Sequence, residues 1–310
     1  MQLLYWLEHI RIPVLNEFML AVTRLGEETA FLVAALIVFW CVDKYKGYYV
    51  LSVGLAGTVL SQFLKLICRI PRPWVRDENF TILEEAREGA GGYSFPSGHT
   101  QSAVGTFGAI AASVKNKWVR IICAAIAVLV GFSRMYVGVH TPADVAVGAL
   151  ISLILIFALK PLMLGENRKK YIPAVFGAML AISMGFLLYV ELYSFPADLD
   201  EYNYASALKN AYTLFGCMVG IWVVYFADEK KLRFSTKAVW WAQILKVAGG
   251  LIVVLLVKEG LRTPLEWVCG GHLIARSVRY CLIVIVAGIV WPLTFRWFGK
   301  LGKKSEEEHT

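Results

Sequence analysis

The stretch Val145-Ala-Val-Gly-Ala-Leu-Ile-Ser-Leu-Ile-Leu-Ile-Phe-Ala-Leu159 carries no charge and is bounded by Asp144 and Lys160. As a helix, residues 143–160 cover most of a hydrocarbon layer about 30 Å thick. Eight more stretches read the same way: 26–42, 48–67, 97–114, 118–136, 171–193, 208–227, 238–257 and 278–297. Inside lipid the backbone must satisfy its own hydrogen bonds, which makes such runs helices. The chain has 310 residues, 58% of them hydrophobic and 17% charged, and a mean hydropathy of +0.59. A soluble domain of this length could not hide that much apolar surface. The expected fold is therefore all-α: a polytopic membrane helical bundle of about nine transmembrane helices.

Residues 3–24 read as an amphipathic helix lying in the membrane interface. They are not an obvious secretory signal, because Met1 to Val14 has no basic segment ahead of its apolar residues and is interrupted by Glu8 and Arg11. The six cysteines are scattered, with neither a disulfide framework nor zinc-ligand spacing. A bridge between Cys68 and Cys269 stays open.

Nine spans place the termini on opposite sides, and the basic residues test that arrangement. Lys44 and Lys46; Lys115, Lys117 and Arg120; Lys160, Arg168, Lys169 and Lys170; Lys230, Lys231, Arg233 and Lys237; and Arg296, Lys300, Lys303 and Lys304 fall in alternate connections. That set is expected to face the cytoplasm. The other set is acidic, with Glu84, Glu85, Glu88, Asp198, Asp200 and Glu201. The net charge of +8 is thus a topology signal, and no clustered basic surface points to nucleic acid. Trp240, Trp241, Trp291 and Trp297 suit an aromatic belt at the cytoplasmic ends. The charged tail from Lys303 to Thr310 reads as disordered. No linker divides the chain, which reads as a core over 1–164 and additional membrane helices over 165–310, packed as one membrane domain.

Three clusters break the apolar pattern, all on the same expected face. They are Lys65 with Arg72-Pro73, then Pro96-Ser97-Gly98-His99, then Ser133-Arg134 with His140 and Asp144. Each has a bland reading. Lys65 can snorkel to headgroups, Arg72 can belong to an ordinary charged loop, and Pro96-Ser97-Gly98 can be a helix start. Thr141 to Asp144 matches a capping box with Pro142 at the first helical position. Convergence favours a phosphate site. Lys65, Arg72 and Arg134 supply cationic donors, and a helix opening at Ser97-Gly98-His99 offers free N–H groups to an anion. Of two histidines, one neutral imidazole can attack phosphorus while the other, protonated, donates to the leaving oxygen.

The spacing of these three clusters resembles that of the type 2 phosphatidic acid phosphatase superfamily, over roughly residues 45–160. That superfamily includes bacterial non-specific acid phosphatases, vanadium haloperoxidases and glucose-6-phosphatase. The resemblance implies that His140 is the nucleophile, forming a phosphohistidine, and that Asp144 orients it. It implies that His99 is the general acid and then the base. Lys65, Arg72, Ser97, Gly98 and Arg134 would bind the phosphate. It also implies catalysis with no divalent metal and no cofactor, and the motifs hold no carboxylate cluster suited to magnesium.

Each motif sits at the end of a span, so a lipid phosphate or pyrophosphate could enter sideways with its tails in the bilayer. Trp74, Phe80, Tyr93, Phe95 and Tyr136 flank the motifs and either line that entry or serve as interfacial aromatics. Undecaprenyl pyrophosphate, phosphatidylglycerol phosphate and phosphatidic acid are the candidates that the resemblance implies. A sugar-phosphate phosphatase and a non-catalytic lipid transporter stay open. Lys246, near the middle of 238–257, either serves a pathway or snorkels from a misplaced boundary.

Overall fold

The structure, a computed structural model, describes residues 1–196, 199 and 201–301. Asp198, Asp200, Lys303, Lys304 and the rest of the tail lie outside the described residues. Among the described residues there are helices and turns and no strands.

Four helices surround the motifs: α4 (Lys44–Cys68), α6 (Gly98–Ser113), α7 (Lys117–Tyr136) and α8 (Pro142–Leu164). Their starts are written locally. The Asp43 side chain accepts from the Lys46 N–H at 3.0 Å, and Asn116 caps α7 through the amides of Trp118 and Val119. Cys68 ends α4 because Arg69 turns into the left-handed region at φ 48°. Between α4 and α6 runs a long connection with one turn of α-helix, α5 (Pro73–Arg76), and short 3-10 turns at Glu84–Ala86 and Glu88–Ala90.

Helix α6 packs against α4, α7 and α8, and small residues permit the approach. A Cβ on Gly148 would meet the Ser97 carbonyl at 2.6 Å, and one on Gly57 would meet the Gln101 amide at 2.0 Å. This explains a departure from the expected nine spans. Among the described residues, seven helices are long and apolar enough to cross a membrane, or up to eight with the bent pair Pro13–Arg24 and Glu28–Val42. The span expected over 97–114 is α6, only 16 residues long. Its neighbours shield it, so it need not match the lipid in length or hydropathy. The span expected over 26–42 is α3 (Glu28–Ile37) with a wide turn through Val42, and reaches full length only with the helix before it.

The second half adds α9 (Arg168–Leu192), α10 (Glu201–Ala227), α11 (Trp240–Gly260), α12 (Arg262–Val268), α13 (Ile274–Ile285) and α14 (Phe295–Phe298). α10 and α13 meet closely where Gly216 faces Ser277 and Gly220 faces Val284. One hydrophobic core runs from Phe31 through Phe176 and Tyr225 to Phe298, joining both halves.

The N-terminal segment is a helix pair, not the single helix expected over 3–24. α1 (Gln2–His9) and α2 (Pro13–Arg24) are separated because Pro13 forces Ile12 into an extended conformation. Leu4 and Leu7 are fully buried against Phe80, Ile82, Ala86 and Val137 in the connections beside the motifs. Arg11 donates to the Tyr136 carbonyl at 3.1 Å and the Thr81 carbonyl at 2.9 Å. The outward face carries Trp6, Val14 and Phe18, exposed apolar groups suited to an interface.

Lys246 lies in the second turn of α11, since that helix starts at Trp240. It is fully buried, donates to the Thr236 carbonyl at 3.0 Å and stands 4.5 Å from the Phe295 ring. It therefore reaches back to the chain's own loop, as a lysine near a helix end does. Trp240 and Trp297 face outward, whereas Trp291 turns inward and donates to the Lys246 carbonyl at 3.1 Å. All six cysteines are free, so the Cys68–Cys269 bridge does not form.

At the end away from the motifs, buried Asp228 accepts from Lys44 at 2.6 Å and from the Phe234 amide at 3.2 Å. Removing one member of such a pair strands the other. Asp228→Ala is expected to destabilise the protein by about 3 kcal/mol, measured as thermal unfolding in detergent. Lys44→Met combined with Asp228→Leu should recover most of that loss.

Candidate active site

The site forms where the end of α4, the starts of α6 and α8 and the end of α7 meet. Thr141 caps α8 by accepting from the Asp144 amide, and the Asp144 carboxylate returns the bond to the Thr141 amide at 2.7 Å. The same carboxylate oxygen lies 3.5 Å from His140 Nδ1 and accepts from the Ser94 hydroxyl at 2.6 Å. The capping box and the orienting carboxylate, read from the sequence as alternatives, are one structure. The Ser97 amide donates to the Asp144 carbonyl at 3.0 Å, tying the second motif to the third.

Arg72 Nη1 lies 2.9 Å from His140 Nε2 and also donates to the Val139 carbonyl at 3.0 Å. A guanidinium can only donate, so Nε2 presents its lone pair and the proton sits on Nδ1, facing Asp144. Arg72 is anchored further by Gly92 and Gly91, whose carbonyls accept from Nε and Nη2 at 2.9 Å each. Lys65 donates to the Tyr93 carbonyl at 2.5 Å. Burial, together with Arg72, Arg134, Lys65 and His99, holds the His140 imidazole well below its ordinary range. The neutral form is favoured.

Arg134 is 1% exposed and donates Nη1 to the Thr23 hydroxyl at 2.5 Å. Its Nε and Nη2 have no partner among the described residues. With His99 it lines a cavity of about 540 Å³ that opens between α2 and the 85–89 segment. A Cβ on Gly98 would meet nothing within 4 Å, so the backbone is open there. Ser97 is fully buried, and its hydroxyl accepts from the Thr100 amide and hydroxyl. That oxygen belongs to the helix cap, and Ser97 shapes the site mainly by opening α6.

Of the flanking aromatics, Phe80 and Tyr136 are buried under α1 and α2 and do not line an entry. Trp74 stacks beside both Arg72 and Arg87, with its ring 5.8 and 5.7 Å from their guanidinium carbons. Sequence reasoning missed Ser94, Thr23 and the carbonyls of Gly91 and Gly92. Ser94 had a weak signal, a hydroxyl just before Pro96. Thr23 had none, being one hydroxyl on an amphipathic helix more than a hundred residues from Arg134.

Comparison with known proteins points to one family. Residues 45–168 match the PAP2 superfamily, and residues 212–304 match the PAP2 superfamily phosphatase transmembrane extension. The chain is 34% identical to phosphatidylglycerophosphatase B of Bacillus subtilis over 167 residues, 49% of this chain and 76% of that protein. It is 32% identical to an undecaprenyl-diphosphatase of Sulfolobus acidocaldarius over 143 residues, 46% of this chain and 67% of that one. Similarity to human sphingosine-1-phosphate phosphatase 2 is 22% over 259 residues, 76% of this chain and 61% of that protein. No solved structure gives a significant match. The motifs, the helical bundle and these relatives agree: the chain belongs to the PAP2 superfamily and is an integral-membrane phosphatase with that family's transmembrane extension.

Proposed function

We propose that this enzyme releases phosphate from a lipid phosphate or pyrophosphate through a phosphohistidine on His140, without a metal. The observation that carries this reading is the orientation of His140. Nδ1 faces Asp144, Nε2 faces Arg72, and Arg134 nearby has guanidinium N–H groups unpaired. In the first step the Nε2 lone pair attacks phosphorus, the ester or anhydride bond breaks, and His99 gives its proton to the departing oxygen. Asp144 stabilises the imidazolium that forms. Lys65, Arg72, Arg134 and the amides at Gly98 and His99 stabilise the charge on the transferring group. In the second step His99 takes a proton from water, which attacks the phosphohistidine and frees His140.

The lipid assignment rests on depth and on relatives. The site sits at span ends, and relatives act on phosphatidylglycerophosphate and undecaprenyl diphosphate by name. The basic connections lie at the opposite end of the bundle, which supports a site on the non-cytoplasmic face of a bacterial plasma membrane.

His140→Ala should lower phosphate release on the order of 10³-fold or more while retaining phosphate binding. EDTA should leave wild-type turnover unchanged. Near-normal release by the variant, or strong EDTA inhibition, would overturn the mechanism.

The pH dependence has a definite sign. A lowered His140 pKa keeps the nucleophile neutral below the ordinary imidazole value of about 6.5. The acid limb of kcat/KM should therefore fall below that value. An acid limb above it would contradict the electrostatics.

A panel of purified substrates decides the class. Polyprenyl or diacylglycerol phosphates should be turned over faster than glucose 6-phosphate, and the reverse order would favour a sugar-phosphate phosphatase.

A further inference from the structure

Lys65 and Arg72 are fixed by a short backbone segment, and that segment is itself contacted from the far half of the chain. Arg72 is anchored by the carbonyls of Gly91 and Gly92, and Lys65 by that of Tyr93. Two of the three site cations thus depend on residues 91–93. Those residues cannot hold themselves in place. Two glycines leave the backbone its greatest freedom, and Gly92 has a φ of +77° that other residues rarely adopt.

The first turn of α10 supplies the restraint. The Tyr93 amide donates to Asn203 Oδ1 at 2.7 Å. An amide N–H can only donate, so the side-chain oxygen, not its nitrogen, faces Tyr93. The contact is close on both sides. A Cβ on Gly91 would meet the Tyr202 hydroxyl at 2.2 Å, and one on Gly92 would meet Asn203 Oδ1 at 2.6 Å. Glycine at 91 and 92 is what allows α10 to approach. Asn203, Lys65, Gly91, Gly92 and Tyr93 together border a small cavity of about 50 Å³. Tyr202 and Asn203 fall in 169–211, the stretch between the two family matches.

We propose that Asn203 is a positioning residue for the phosphate site. Through the Tyr93 amide it holds the 91–93 carbonyls, which aim Arg72 and Lys65 at the phosphoryl group. Without it, three like charges and a glycine pair would leave the guanidinium free to sample other rotamers, and oxyanion binding would weaken. This rests on the reading of Lys65, Arg72 and Arg134 as phosphate ligands.

The test uses full-length protein in detergent and orthovanadate as the probe. Asn203→Ala removes the acceptor, whereas Asn203→Asp keeps an oxygen in the same place. Loss of one such bond should weaken vanadate affinity about tenfold. KM should rise in parallel, with an unchanged thermal unfolding midpoint. Asn203→Asp should stay within about threefold of wild type. If Asn203→Ala binds vanadate as wild type does, or if Asn203→Asp is as impaired as Asn203→Ala, the proposal is wrong. Wild-type protein that binds neither vanadate nor phosphate would instead sink the underlying phosphate-site reading, a separate outcome.

Discussion

The Asp144 carboxylate is where helix architecture and site chemistry coincide. One of its oxygens closes the capping box of α8, takes the Ser94 hydroxyl and lies beside His140 Nδ1. Its backbone carbonyl holds the Ser97 amide at the start of α6. A buried carboxylate is tolerable only when such donors surround it. The arrangement that stabilises the charge therefore also fixes the imidazole tautomer and joins two helix starts. Loss of Asp144 would loosen the end of α8 as well as the His140 imidazole.

Around that point the protein gathers cations that repel one another. Arg72 and Lys65 are restrained by backbone carbonyls of the 91–93 segment, and Arg134 by the Thr23 hydroxyl. Carbonyls and hydroxyls hold these groups without neutralising them, so their positive charge stays available to an anion. The restraints come from segments far apart in the chain. The N-terminal helix pair braces Arg134 and the connection between α4 and α6, and α10 contacts the glycine segment. The helices beyond the core thus touch the chemistry through its supporting shell.

The residues that the structure gathers at the candidate site were legible because their signals are local. Pro96-Ser97-Gly98-His99 is a helix start, and Thr141 to Asp144 a capping box, whatever lies around them. The apolar runs likewise announced the bundle. Less legible were features set by what packs on what. α6 reads as a full span, yet it is a short helix wrapped by three neighbours. Lys246 reads as a mid-membrane charge until the start of α11 at Trp240 places it one turn from a loop carbonyl. Phe80 and Tyr136 read either as entry-lining or as interfacial aromatics, and the N-terminal helices bury them.

Hydropathy, helix caps and motif spacing thus determined, from the sequence by itself, an all-helical membrane protein with two histidines, an aspartate and three cations at one end. Those are properties of neighbouring residues and of the solvent each segment prefers. Only the tertiary structure decided which hydroxyls and carbonyls restrain the cations, and that Ser97 serves a helix cap while Ser94 joins His140 and Asp144. Thr23 meets Arg134 across 111 residues, and Asn203 meets Tyr93 across 110. Contacts over such separations arise from helix packing, and they leave no periodic or local trace in the chain.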